Sequence, residues 1–451
     1  MKGGPAVLQG LSCVLFLISL TWPATSTSGI ITMRADLTHV DAGRGFTKWE
    51  LLTRMAARSR ARAASLHQRG GGHGHPVTAT AAPSSGEYLI HFAIGTPRPQ
   101  HVELTLDTGS DLVWTQCTPC PSGTFVAADC PDPVCRPSSG LAVSACSMKT
   151  FRCFYLASYG DKSVTAGFIF RDTFTFRASD GKKQGAPPPV AVPGLAFGCG
   201  DYNTGVFVSN ESGIAGFGRG PQSLPSQLKV GRFSYCLTSM SETESKPSAV
   251  FLGTPDDLRA HSTGPIQSTP IIYNPEVPTL YYLSLEGITV GETRLPVGKS
   301  AFALKKDGSG GTVIDSGTGF TTFPMAVYGL LRSAFMAQVP VPVYHNASDI
   351  SDRFLCFRRS PPEGADAAEK KKVPVPRLVF HLAGADMDLP RENYILEDDE
   401  GEMMCLMING ADDDLTLIGN FQQQNMHIVY DVENSKLLFV PDSQCAACDK
   451  L

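Results

Sequence analysis

Beyond its first 28 residues the chain has no run of about 18 or more apolar residues, so a helical membrane span is not expected. No Gly-x-Ser-x-Gly elbow is present, which removes the usual mark of a serine hydrolase. The cysteines look paired, so a cysteine–histidine hydrolase lacks support as well. Asp412-Asp413-Asp414 has no ligand spacing of the EF-hand kind and reads as a turn. Gly216-Phe217-Gly218-Arg219-Gly220 lacks the strand–helix setting of a dinucleotide loop. Helix patterns are scarce, the main one being Phe323 to Val339, with Pro324 tolerated near its start. No metal site or cofactor is expected.

What is present points to an all-β protein. The 451 residues are 42% hydrophobic, enough for two sizeable cores, with 44 glycines and 33 prolines to punctuate short strands. Strand-like runs include Glu87 to Ile94, Ala166 to Phe176, Leu280 to Val290, Arg377 to Leu382 and His427 to Asp431. Polar and proline-containing stretches at Ser241 to Pro247 and Pro255 to Thr269 suggest a boundary near 265. That gives lobes at 86–265 and 266–451.

Two tetrapeptides each place an aspartate between an apolar strand and a glycine turn. Asp107-Thr108-Gly109-Ser110 follows Val102 to Leu106, and Asp315-Ser316-Gly317-Thr318 follows Gly311 to Ile314. One copy is ordinary turn chemistry. Two copies, nearly half the chain apart, suggest one site made by two related lobes. Ile214-Ala215-Gly216 and Leu417-Ile418-Gly419 follow the two aspartates at nearly the same interval, which supports a duplication. Two carboxylates about 3 Å apart cannot both ionise easily. One then takes a proton from water while the other, still protonated, polarises a carbonyl. Gly109 and Gly317 permit the tight turns, and the Ser110 and Thr318 hydroxyls can donate to the outer carboxylate oxygens.

Residues 1–28 read as a secretory signal: Lys2, an apolar core from Leu11 to Trp22, then small residues. One of the 13 cysteines, Cys13, leaves with it. The other twelve allow six bridges. Six crowd together as Cys117, Cys120, Cys130, Cys135, Cys146 and Cys153, and the rest are Cys199, Cys236, Cys356, Cys405, Cys445 and Cys448. Cys117-x-x-Cys120 has zinc-like spacing, but no matching second pair lies in that stretch. Sequons at Asn210 and Asn346 fit secretion. Residues 29–85 hold eight Lys and Arg against three Asp and Glu, ahead of an acidic body. Trp49 to Leu66 read as a basic helix, and Gly70 to Ser85 as a cleavable linker. His73 and His75 in that linker suggest no specific site. The segment is either a docked prosegment or an arm for nucleic acid or membrane.

From about Ile31 to the C-terminus the chain resembles the pepsin-like aspartic proteases, nearest their plant nepenthesin-like branch. The likeness rests on the paired turns, on DTGSDLVWTQC from Asp107 to Cys117, and on Tyr159-Gly160-Asp161. Phe197-Gly198-Cys199-Gly200, Phe233-Ser234-Tyr235-Cys236 and IGNFQQQ from Ile418 to Gln424 add to it. The resemblance implies a bilobal fold and a catalytic pair, Asp107 and Asp315, with Thr108 and Ser316 bracing the two loops. It also implies a flap at Tyr159, Gly160 and Asp161 with Trp114 as the tyrosine's hydrogen-bond partner, and a Cys356–Cys405 disulfide. Similarity at Asp36 to Asp41 favours the prosegment reading. The implied molecule is a secreted, acid-active endopeptidase made as a zymogen. It would be a monomer, apoplastic or vacuolar, inhibited by its own prosegment and acting on peptides, with no nucleic-acid or membrane partner. A non-catalytic binding protein of the same fold, like the plant xylanase inhibitors, is the alternative. Three departures stand out: Pro121-Ser122-Gly123 where the branch usually has a third cysteine, two C-terminal cysteines instead of one, and Lys162-Ser163 where it usually has Gly-Ser.

Overall fold

A computed structural model describes residues 32–41, 44–46, 50, 54–55, 88–117, 126–130, 132–135, 142–159, 163–178, 189–204, 211–239, 248–253, 264–344, 354–359, 373–397 and 403–441. The signal, the linker, most of the basic helix, Asn210 and the whole Asn346 sequon lie outside them. So do Cys120, Gly160, Asp161, Lys162, Cys445 and Cys448.

The architecture is all-β and bilobal, as the sequence suggests. The largest sheet has 15 strands. Its first members are β1 (Met33–His39), β2 (Tyr88–Ile94), β3 (Gln100–Asp107) and β4 (Trp114–Gln116). Part of its order is Gln267–Pro270, Lys436–Pro441, Met426–Asp431, Arg232–Cys236, Ser248–Leu252, β1, β2, β3. Strands from both ends of the chain thus share one sheet, joined where Arg232–Cys236 pairs antiparallel with Met426–Asp431. Three smaller sheets, of five, four and four strands, build most of the second lobe.

Local sequence explains the elements. Cys153–Ser158 alternates strictly between buried and exposed, the period-two pattern of a strand with one face on a core. Met325–Gln338 is the one long described helix. It starts directly after Pro324 and buries Val327, Leu331 and Phe335, which lie four residues apart and therefore share a face. It stops where Val339 turns extended ahead of Pro340, which cannot continue a helix.

One strand was not anticipated from sequence. β1 belongs to the basic segment read as a prosegment, yet it sits inside the main sheet between Ser248–Leu252 and β2. Its alternation buries Met33, Ala35 and Leu37 while Arg34, Asp36 and Thr38 face the other way. Main-chain pairing and apolar burial, more than charge alone, hold this segment.

Four disulfides join described cysteines: Cys117–Cys199, Cys130–Cys146, Cys135–Cys153 and Cys356–Cys405. The last links directly opposed residues of neighbouring strands. Cys236 is bonded too, with no described cysteine left over as its partner.

Candidate active site

Asp107 ends, and Asp315 directly follows, a strand that runs parallel to the apolar-apolar-glycine strand of its own lobe. β3 lies beside Gly213–Gly216, with Asp107 opposite Gly216. Thr312–Ile314 lies beside Thr416–Ile418, and the Asp315 N–H donates to the Ile418 carbonyl at 3.1 Å. The repeated tripeptides are therefore the strands that clamp the aspartate turns. Their glycines are obligatory for space. A Cβ on Gly216 would stand 2.3 Å from the Asp111 backbone, and one on Gly419 would stand 2.5 Å from the Phe320 backbone.

The two turns make the same bonds. Gly109 N–H donates to Asp107 Oδ1 at 2.9 Å, and Gly317 N–H donates to Asp315 Oδ1 at 3.0 Å. Ser110 Oγ donates to Asp107 Oδ2, and Thr318 Oγ1 donates to Asp315 Oδ2 at 2.7 Å. Across the lobes, Ser316 N–H donates to Thr108 Oγ1 at 2.8 Å and Thr108 N–H donates to Ser316 Oγ at 3.1 Å. Thr108 Oγ1 also lies 3.4 Å from Asp315 Oδ1, and Ser316 Oγ donates to the Leu106 carbonyl. Both aspartates are fully buried. The paired turns hold the two carboxylates in matching hydrogen-bond cradles where the lobes meet.

A polar underlay supports the second turn. Asn420 Nδ2 donates to the Ser316 carbonyl at 2.8 Å, and Gln423 Nε2 donates to the Ile418 carbonyl at 2.9 Å. Gln423 Oε1 accepts from the Tyr235 hydroxyl, which is paired in turn with the Tyr430 hydroxyl. Burial pushes both tyrosines' pKa values well above the ordinary phenol range, so they stay neutral donors. These side chains lie in or near quoted motifs, but their roles emerge only from contacts. Asp111 was missed outright. It accepts from Gly220 N–H at 2.8 Å and from Thr279 Oγ1 at 2.6 Å, tying the first aspartate turn to a residue beyond the lobe boundary. Gly218 and Gly220 leave room for its carboxylate, since a Cβ on either would come within 2.3 and 2.2 Å of it.

Tyr159 directly follows the strand Cys153–Ser158, and its hydroxyl accepts from Trp114 Nε1 at 2.7 Å. Both are buried, in an apolar cluster with Leu112, Tyr155 and Ile169. The Cys135–Cys153 disulfide packs in the same cluster, so the cysteine-rich stretch buttresses the base of the Tyr159 hairpin.

Residues 88–254 match the family model described as xylanase inhibitor N-terminal, and residues 280–441 match xylanase inhibitor C-terminal. The chain is 37% identical to aspartic proteinase nepenthesin-1 of Nepenthes gracilis, over 91% of this chain and 90% of that one. It is 36% identical to aspartyl protease family protein 2 of Arabidopsis thaliana, over 86% and 77% respectively. The chain belongs to the pepsin-like aspartic protease family, in its nepenthesin-like branch. Solved structures share the fold of this family member at lower identity. Basic 7S globulin from soybean superposes with a TM-score of 0.65 at 18% identity, covering 93% of this chain and 99% of that one. Conglutin gamma from lupine seeds gives 0.64 at 17%, covering 93% and 97%. Among the described residues of this aspartic protease relative, no helix is long and apolar enough to cross a membrane.

Proposed function

We propose that this protein is an aspartic endopeptidase, made as a secreted zymogen and active at acid pH. The observation that carries the reading is the hydrogen-bonded pair of turns, with Thr108 and Ser316 exchanging bonds across the lobes. Asp107 and Asp315 share one proton. The ionised member removes a proton from water, and the protonated member polarises the scissile carbonyl and later protonates the leaving nitrogen. Gly109, Ser110, Gly317 and Thr318 hold the four carboxylate oxygens in place. Tyr159, held by Trp114, opens the Tyr159-Gly160-Asp161 motif that in the family forms the flap over an extended peptide. Substrate bonds flanked by large apolar residues are favoured, as in the family.

Residues 29–85 act as the inhibitory prosegment. One described contact supports that reading. Met55 is fully buried in a cluster with Phe320, Phe354, Met407 and Phe421 of the second lobe. Burial of such a side chain contributes about 1.5–3 kcal/mol. The protein would enter the secretory pathway through residues 1–28 and act outside the cell or in the vacuole, glycosylated at Asn210 and Asn346.

The test is digestion of a peptide library by the linker-cut protein at pH 4 and pH 7, with and without pepstatin. Pepstatin-sensitive cleavage at pH 4 is expected, between apolar residues. No cleavage at either pH by the correctly folded, cut protein would favour the reading as a non-catalytic binding protein.

A further inference from the structure

Besides the Thr108–Ser316 exchange, a second path of hydrogen bonds joins the two aspartate turns. It starts at Asp111, the residue after Ser110, which is buried. The two oxygens of its carboxylate hold two different parts of the chain. Oδ1 accepts from Gly220 N–H at 2.8 Å, and Oδ2 accepts from the hydroxyl of buried Thr279 at 2.6 Å. The neighbouring backbone is tied to the same place. Gly218 N–H donates to the Ser110 carbonyl at 2.8 Å, and Arg219 N–H donates to the Thr279 carbonyl at 3.0 Å. Arg219 also lies 5.4 Å over the Tyr273 ring.

From Thr279 the path runs on to the other aspartate. Ile314 N–H, one residue before Asp315, donates to the Tyr281 carbonyl at 3.1 Å. Tyr282 and Leu283 pair antiparallel with Val313 and Thr312 of the strand that leads into Asp315. The same segment bonds back to the first turn. The Tyr281 hydroxyl donates to the Phe217 carbonyl at 2.8 Å, and Phe217 N–H donates to the Asp107 carbonyl at 2.7 Å. Residues 279–283 are therefore held by the loop beside Asp107 on one side and by the strand before Asp315 on the other. Hydrogen bonds to a carboxylate are about twice as strong as neutral ones. A residue needed only to fill the space would not have to aim two acceptors at segments so far apart in the chain.

We propose that Asp111 is a positioning residue for the acid dyad: through Thr279 it latches the first aspartate turn to the segment bonded to the Asp315 strand, and so holds the distance and tilt between the two carboxylates. It acts through the two turns, not on the substrate. A small misplacement of reacting groups costs turnover far more than binding. The proposal rests on the reading that Asp107 and Asp315 hydrolyse peptide bonds.

The experiment is steady-state kinetics of the cut protein on one peptide at acid pH, with Asp111→Ala, Asp111→Asn, Thr279→Val and Thr279→Ser beside the parent. Asp111→Ala and Thr279→Val should each lower kcat roughly tenfold or more and leave KM within about threefold, the mark of a loss felt in the transition state. Thr279→Ser keeps the hydroxyl and should recover most of kcat. Asp111→Asn should do the same, because its amide can accept from Gly220 N–H and donate to the Thr279 hydroxyl. Asp111→Ala combined with Thr279→Val should be little worse than either alone, since both break one latch. Should Asp111→Ala fail to fold, the two Thr279 variants carry the comparison. Parental kcat per folded molecule in Thr279→Val, with only the melting temperature lowered, overturns the proposal. Hydrogen exchange judges the latch apart from activity. The Gly220 and Ile314 amides should exchange faster in Thr279→Val than in the parent, and unchanged exchange at both also overturns it. A folded, cut parent that cleaves nothing counts against the proteolytic reading alone, and the exchange rates then decide the latch.

Discussion

At the scale of residues, the cross-lobe exchange between Thr108 and Ser316 sets the separation of the two carboxylates. Thr108→Val keeps the volume but removes the acceptor of the Ser316 N–H and the donor beside Asp315. An unsatisfied buried donor costs about 1–3 kcal/mol. If the transition state feels that loss, kcat falls roughly 10- to 100-fold, with KM changed far less, as steady-state kinetics on one peptide can check. His427 is a second residue whose surroundings carry a consequence. Its ring is buried beside Phe251, neither nitrogen has a hydrogen-bond partner, and burial pulls its pKa down to about 4. The unfolded chain takes up this proton near the ordinary histidine value, about 6.5, while the folded chain waits until about pH 4. The native state therefore loses up to about 3 kcal/mol as pH falls from 6.5 to 4. His427→Leu should remove that part of the loss, so the melting temperatures of variant and parent, compared at pH 7 and pH 4, should diverge in the variant's favour on the acid side. Parallel curves would reject the assignment.

Elements show why some of this could be read in advance and some could not. The aspartate turns were legible because turn chemistry is local: an apolar strand, an aspartate, a glycine and a hydroxyl suffice. The clamp strands were legible as a repeat, although only pairing explains them. Asp111, by contrast, carried no signal of its own within DTGSDLVWTQC, because its partners Gly220 and Thr279 are far away in sequence. β1 was hidden because its basic setting suggested a segment docked by charge, while its alternation, Met33-Ala35-Leu37, is only one buried face long. Cys117–Cys199 was equally unreadable, since that pairing depends on β4 lying parallel to the strand Val190–Thr204. Two predictions belong at this scale. Tyr159→Phe removes the hydroxyl that accepts from the Trp114 indole N–H. Turnover should drop about tenfold, in line with about 1–2 kcal/mol for such a group, with circular dichroism unchanged. Replacing both Cys356 and Cys405 by alanine should cost about 2–5 kcal/mol of stability, as measured by denaturant unfolding, and lower activity only as far as the protein unfolds.

For the whole molecule, one sheet ties the first lobe, the second lobe and β1 together, and the candidate site lies where the lobes exchange hydrogen bonds. Met55→Asp should disturb the inhibitory contact proposed for residues 29–85: the uncut variant should cleave peptide at pH 5 well before the uncut parent does. An uncut variant that stays as silent as the parent would move the inhibitory contact elsewhere in the segment. The central claim is that Asp107 and Asp315 act as one acid dyad, and the most direct test is the pH dependence of kcat/KM for the cut parent beside the cut Asp315→Asn protein. The account predicts a parent profile that peaks at acid pH and falls away toward neutrality as the shared proton is lost. It predicts no measurable cleavage by the variant at any pH, at an unchanged melting temperature. Near-normal turnover by Asp315→Asn, or a parent profile that stays flat up to pH 8, would contradict it.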